Sequence, residues 1–131
     1  MAINLRPHDI GDCGKSQWMH AGTVKFNDTG VATGIKLCDV PMRSLIVRAV
    51  AVVNTEFNAG TTNVLTIGTN DDVKNLLGTS DITEGTAGNY SKDTFVHCAS
   101  KTAVKAKFTE TGTDATTGEA DIYLEIVRCP E

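Results

Sequence analysis

Aromatic side chains are scarce in this 131-residue chain, at 5% of the residues against a hydrophobic content of 40%. A core must therefore be assembled from Val, Ile, Leu and Ala. Basic residues are scattered, and the nearest approach to a patch is Lys101, Lys105 and Lys107. With a formal net charge of −4, the chain lacks the clustered Lys and Arg that nucleic acid demands. No apolar run approaches the length of a membrane span, and none stands at the N-terminus as a signal sequence would. We expect a soluble protein, with no membrane or nucleic-acid partner, folded in a reducing cytoplasm. Cys13, Cys38, Cys98 and Cys129 contain no close pair of the Cys-x-x-Cys kind, so they build no metal knuckle. Two disulfides are formally allowed, in three pairings. Without a secretory signal the expectation is four free thiols.

The chemistry of catalysis is missing as well. His8, His20 and His97 never stand at metal-ligand spacing. His97 and Cys98 are neighbours on a strand and point to opposite faces, which works against a Cys-His nucleophile pair. The loop from Thr111 to Gly118 holds one acid, Asp114, too few oxygens for calcium. No glycine-rich run follows a strand and opens a helix, as a phosphate cradle would. The expectation is a non-enzymatic protein with no catalytic, cofactor or metal site.

What is present is β-forming. Threonine and glycine are abundant, with 18 and 12 residues, a pairing typical of short strands joined by turns. Ser44 to Phe57 is a long β-branched run without internal Gly or Pro. It is followed by the turn residues Asn58-Ala59-Gly60 and by Asn63 to Gly68, and together these read as a central β-hairpin. Val47, Val50, Val52 and Val53 make the first run apolar on both faces, so it is an interior strand or one covered by a neighbour. Before it, Gly22–Phe26 and Val31–Cys38 read as two strands around the turn Asn27–Gly30. After it, Asp71–Leu77 reads as one short helix, with Val73, Leu76 and Leu77 on a single face. Thr94–Cys98 and Lys101–Glu110 read as strands, the latter with Val104, Ala106 and Phe108 inward. Glu119–Arg128 alternates strictly, Ala120, Ile122, Leu124 and Ile126 on one side. The whole describes an all-β, antiparallel β-sandwich of about eight strands, jelly-roll-like, with one short helix.

Two domain units are expected: an N-terminal arm over 1–21 and the β-sandwich over 22–131. Trp18 and Met19 lie in the arm, outside any core periodicity, and large apolar residues so placed tend to mark contacts. Tyr123 and Val127 stand on the otherwise polar face of the last strand. These four residues are the candidate partner contacts.

The Val/Ala-rich strand ending in Phe57-Asn-Ala-Gly-Thr-Thr, then Val64-Leu-Thr-Ile-Gly68, Asn70-Asp71-Asp72, and the hairpin-like Thr111–Ala120, resembles small virion proteins of tailed bacteriophages. The resemblance is to jelly-roll decoration (cement) proteins of capsids, with similar sandwiches in head and tail fibres, and covers residues 44 to 128. It implies a structural protein on the capsid exterior, with the major capsid protein as partner and a homo-oligomeric state, dimer or trimer. The alternative is a receptor- or carbohydrate-binding sandwich of a tail fibre or spike. A metal-dependent enzyme on a cupin-like jelly roll would need clustered histidines.

Overall fold

The computed structural model describes residues 16–70 and 73–128. Among them lie seven strands: β1 (Ser16–Lys25), β2 (Ile35–Val40), β3 (Ser44–Thr55), β4 (Thr62–Thr69), β5 (Gly88–Cys98), β6 (Thr102–Thr111) and β7 (Glu119–Arg128). They form a four-stranded sheet ordered β1-β7-β3-β5 and a three-stranded sheet ordered β2-β6-β4. Every pairing is antiparallel. The fold is an antiparallel β-sandwich, with seven strands in place of about eight and no helix among the described residues.

The core fills the space between the inner faces. From the larger sheet come Ile46, Ala49, Ala51 and Val53 of β3 with Ala120, Ile122, Leu124 and Ile126 of β7. From the smaller come Leu65 and Ile67 of β4 with Val104, Ala106 and Phe108 of β6. The period of two in β6 and β7 is thus the period of burial. Phe57 packs on Phe108 with ring centroids 4.8 Å apart, so two of the few aromatics are spent on the centre. Each fully buried aliphatic side chain contributes about 1.5–3 kcal/mol of transfer free energy.

Consecutive strands never share a sheet: the order alternates between the layers from β1 to β7. The hairpin expected from Ser44 to Gly68 therefore does not form. β3 lies between β7 and β5, while β4 pairs with β6. The turn chemistry is present but steers the chain across the sandwich. Ala59 N–H donates to Asn63 Oδ1 at 2.8 Å, and Gly60 N–H donates to the Thr113 carbonyl at 2.7 Å. Thr111–Gly118 likewise crosses from β6 to β7. Gly118 is required there, because its φ of 149° disfavours a side chain and a Cβ would run into the Phe57 ring. The turn at residues 27–30 is followed by more turn through 33, so β2 begins at Ile35 and not at Val31.

The expected helix is replaced by an edge cover. Asp71 and Asp72 lie outside the described residues, and residues 73–74 form a turn. Leu77 then bridges Ile67, each N–H donating to the other's carbonyl at 2.9 Å. Leu76 and Leu77 are fully buried. The apolar triplet signalled burial, but it is satisfied along the free side of β4. Further on, buried Glu84 accepts the Leu65 N–H on Oε2 at 2.8 Å. Burial pushes its carboxyl above the usual range, and the Leu65 bond works against that.

The arm boundary at residue 21 also moves. Ser16 to Ala21 form the first half of β1, which pairs with β7 from Ser16 opposite Val127 to Lys25 opposite Glu119. A β-bulge between His20 and Gly22 breaks the alternation at that boundary, which is why the stretch looks aperiodic in sequence. Residues 1–15 of the expected arm lie outside the described residues.

Candidate interaction face

Cross-strand partners in a sheet share a face, so the register assigns the outer surface of the four-stranded sheet row by row. Val127 sits between Ser16 and Leu45, with His97 beyond. Next come Trp18, Glu125, Arg48 and Asp93, then His20, Tyr123, Val50 and Ser91. The last row is Thr23, Asp121, Val52 and Asn89. Leu45, Val50, Val52, Tyr123 and Val127 are half-buried by their neighbours, while Trp18 is 54% exposed. The result is two apolar groups, Leu45 with Val127 and Val50 with Val52 and Tyr123, separated by the charged row Glu125, Arg48 and Asp93 that Trp18 ends.

Three side chains, two from β1 and one from β3, fix this surface at Asp121. Its Oδ1 accepts from Thr23 Oγ1 at 2.5 Å and meets His20 Nε2 at 3.3 Å, while Oδ2 accepts from Asn54 Nδ2 at 2.7 Å. Those bonds, the Thr23 hydroxyl first, hold the carboxyl below the usual aspartate range. His20 in turn packs on Tyr123, ring centroids 5.0 Å apart and tilted by 49°. One row away, Arg48 Nε donates to Asp93 Oδ1 at 2.9 Å. Arg48 offsets one of the acids on this face, and the aromatics and valines between the charges are its distinctive feature.

Of the four sequence candidates, Trp18, Tyr123 and Val127 share this outer face. Met19 does not: it stands opposite buried Leu124 and packs against the core. Sequence reasoning missed Met42 and Phe95, which are 50% and 64% exposed. Both lie towards the end of the sheet where Ser44 pairs with Cys98 and Arg128. Phe95 has a φ of 50° and Arg43, beside Met42, a φ of 62°, conformations that ordinary residues seldom adopt. In β5 the cause is a bulge: Ile46 pairs with Val96 and Arg48 with Asp93, so two residues oppose one. Thr94 Oγ1 pins it by donating to the Ile46 carbonyl at 2.6 Å. No sequence pattern announces a bulge at that position.

Elsewhere two half-buried acids serve the fold. A depression beside Phe26, Val31 and Phe108 carries Asp28 and Glu110. These acids accept the Lys25 and Ala115 N–H groups at 2.8 Å and 2.9 Å. Among the described residues no three His, Cys, Asp or Glu side chains converge as metal ligands. Cys38 and Cys98 are free thiols; Cys13, Cys129 and His8 lie outside the described residues. Cys98 is buried and His97 exposed, on opposite faces of β5 as their adjacency implies.

The sequence matches no family model and none of the curated proteins. Two solved structures share the fold. One is a chain of the cyanophage Pam1 capsid asymmetric unit, with a TM-score of 0.73 and 16% identity over 98% of this chain and 94% of that one. The other belongs to the acidic stable capsid structure of Helicobacter pylori bacteriophage KHP30, with a TM-score of 0.60 and 12% identity over 88% and 95%. The sandwich is thus one found in phage capsids.

Proposed function

We propose that this chain is a non-enzymatic virion structural protein that decorates the outside of a phage head and cements it. The observation that carries the reading is the match of the fold, along nearly its whole length, to chains of two phage capsid structures. The open outer face of the four-stranded sheet supports it, since Trp18, Tyr123 and Val127 give an apolar patch of the kind that seats against another protein. On this reading the partner is the major capsid protein, the location is the capsid exterior after folding in the host cytoplasm, and cementing is mechanical. Expansion or internal pressure must break additional interface before subunits separate. No cofactor is required.

The alternative, a carbohydrate- or receptor-binding sandwich of a tail fibre or spike, draws on Trp18 lying diagonal to Tyr123 on the same face. Aromatic faces stack on sugar rings. Co-sedimentation with undecorated heads decides between the two. Binding to heads that weakens in Trp18→Ala supports the cement. Absence of head binding, together with Trp18-dependent retention on a host-surface glycan, would replace it with the fibre reading.

A further inference from the structure

Each sheet has two edges, and an edge strand offers unpaired N–H and C=O groups to any other strand. Three of the four edges here are blunted. β4 is covered by the bridge to Leu77. β2 has six residues, carries Lys36 and Asp39, and bulges between Lys36 and Cys38. β5 carries Lys92 and Asp93, and its bulge throws Phe95 into a left-handed conformation. β1 is different. Its second half is closed by the opposite sheet, where a Cβ on Gly22 would lie 3.3 Å from Leu37. Its first half, Ser16-Gln-Trp-Met-His-Ala21, contains no Asp, Glu, Lys or Arg, no Pro and no Gly, and stays regular until the bulge after His20. Among the described residues no strand pairs with its free side.

We propose that this edge joins two copies of the chain, β1 against β1, into a continuous eight-stranded sheet across a two-fold axis. The segment is complementary to itself. An antiparallel pairing centred on Trp18 sets Ser16 opposite His20 and Gln17 opposite Met19, so no like charges meet. Trp18 faces its own copy, and a cross-strand aromatic pair adds to the ladder. A polar partner strand would gain no charge contact from an uncharged segment, whereas a second copy supplies the same uncharged surface and the matching tryptophan. The outer faces of the two sandwiches then merge, which doubles the area presented to a capsid. This last point rests on the decoration reading; the pairing itself does not.

The test is sedimentation velocity of the full chain at tens of micromolar, alongside Trp18→Lys, Trp18→Glu and their equimolar mixture. Each substitution sets like charges face to face at the axis, and Trp18 is exposed enough for the fold to survive, as far-ultraviolet circular dichroism will check. The expected result is a dimer for the unaltered chain, monomers for each variant, and recovery of the dimer in the mixture. A monomeric full chain, a trimer, or variants that remain dimeric would overturn the proposal. Head co-sedimentation separates the two ideas: a monomer that binds heads removes the dimer and keeps the cement, and a dimer that ignores heads does the reverse.

Discussion

The outer faces of the two sheets are built by the same alternation and end up opposite in character. On the three-stranded sheet, Lys36 stands directly across from Lys105, and Lys107 sits opposite Thr66. Lys36 is held at 2.8 Å by Asp39. That surface is polar and lysine-bearing, with Thr66 buried beneath its neighbours. On the four-stranded sheet the equivalent positions hold Tyr123, Val50, Val52 and Val127, with Trp18 at the margin. A single sandwich therefore has a lysine-bearing side and a side where valines and aromatics are interleaved with charges. The lesson is that burial within one chain does not account for every apolar residue on a strand.

The comparison can be broken first at what the two sheets share. Both press on one core, so Leu124→Ala in the larger sheet and Leu65→Ala in the smaller should each lose about 2–5 kcal/mol of stability, read from urea midpoints. A much smaller loss on one side would mean that its inner face is not packed as described. The faces themselves separate in binding. Trp18→Ala should weaken attachment to undecorated heads by about 30-fold, matching the roughly 2 kcal/mol typical of a buried aromatic anchor. The melting temperature of the isolated monomer should hardly move. Unchanged attachment would take the adhesive role away from this face.

Acid sharpens the contrast further, because Asp121 ties the larger sheet and Glu84 supports the smaller. Asp121 is held below its ordinary value by Thr23, Asn54 and His20. Its stabilisation is complete above the usual aspartate pKa of about 4 and is lost as pH falls through the lowered folded value. Glu84 is raised by burial. Its contribution is present below the usual glutamate pKa of about 4.3 and is lost as pH rises through the raised folded value. Asp121→Asn should therefore flatten the loss of stability on acidification, and Glu84→Gln should flatten the loss between mild acid and neutrality. Denaturant midpoints across a pH series will show it; parallel curves for all three proteins would deny both roles. The smallest effect belongs to the lysine-bearing side. Lys105→Ser should leave head binding unaltered and change stability by no more than about 0.5 kcal/mol, and a clear loss of binding would make that face adhesive too.

Much of this was legible in the sequence. The alternation of Val104, Ala106 and Phe108, and of Ala120 to Ile126, names both strands and their inward faces, since a half-buried strand must repeat every two residues. The doubly apolar Ser44–Phe57 is interior, as its composition requires. What stayed hidden is where each turn sends the chain. Asn58-Ala59-Gly60 specifies a reversal and says nothing about whether the next strand returns beside the last or crosses to the other layer. The Val73, Leu76 and Leu77 spacing fits a helical face, but a short segment gains more by closing the edge of β4 than by a turn or two of helix. β1 was concealed by its bulge. The candidate face was half visible: Tyr123 and Val127 stand out against their polar neighbours, and Trp18 against its segment. Only the register reveals that the three lie together, and that Met19 leaves them.

The position of β7 has a consequence in time. Its partners are β1 and β3, so of the seven described strands the one that joins them is made last. At elongation rates of about 5–20 residues per second, β1 waits on the order of 5–20 s before β7 is made. Until then the newborn chain has no template for its longest strand on that side: Trp18 is unpaired, and Val50 and Val52 can pair only with β5. Assembly of this sheet waits for β7, and a chain that stops before β7 should be a substrate for chaperones and proteases instead of a smaller sandwich.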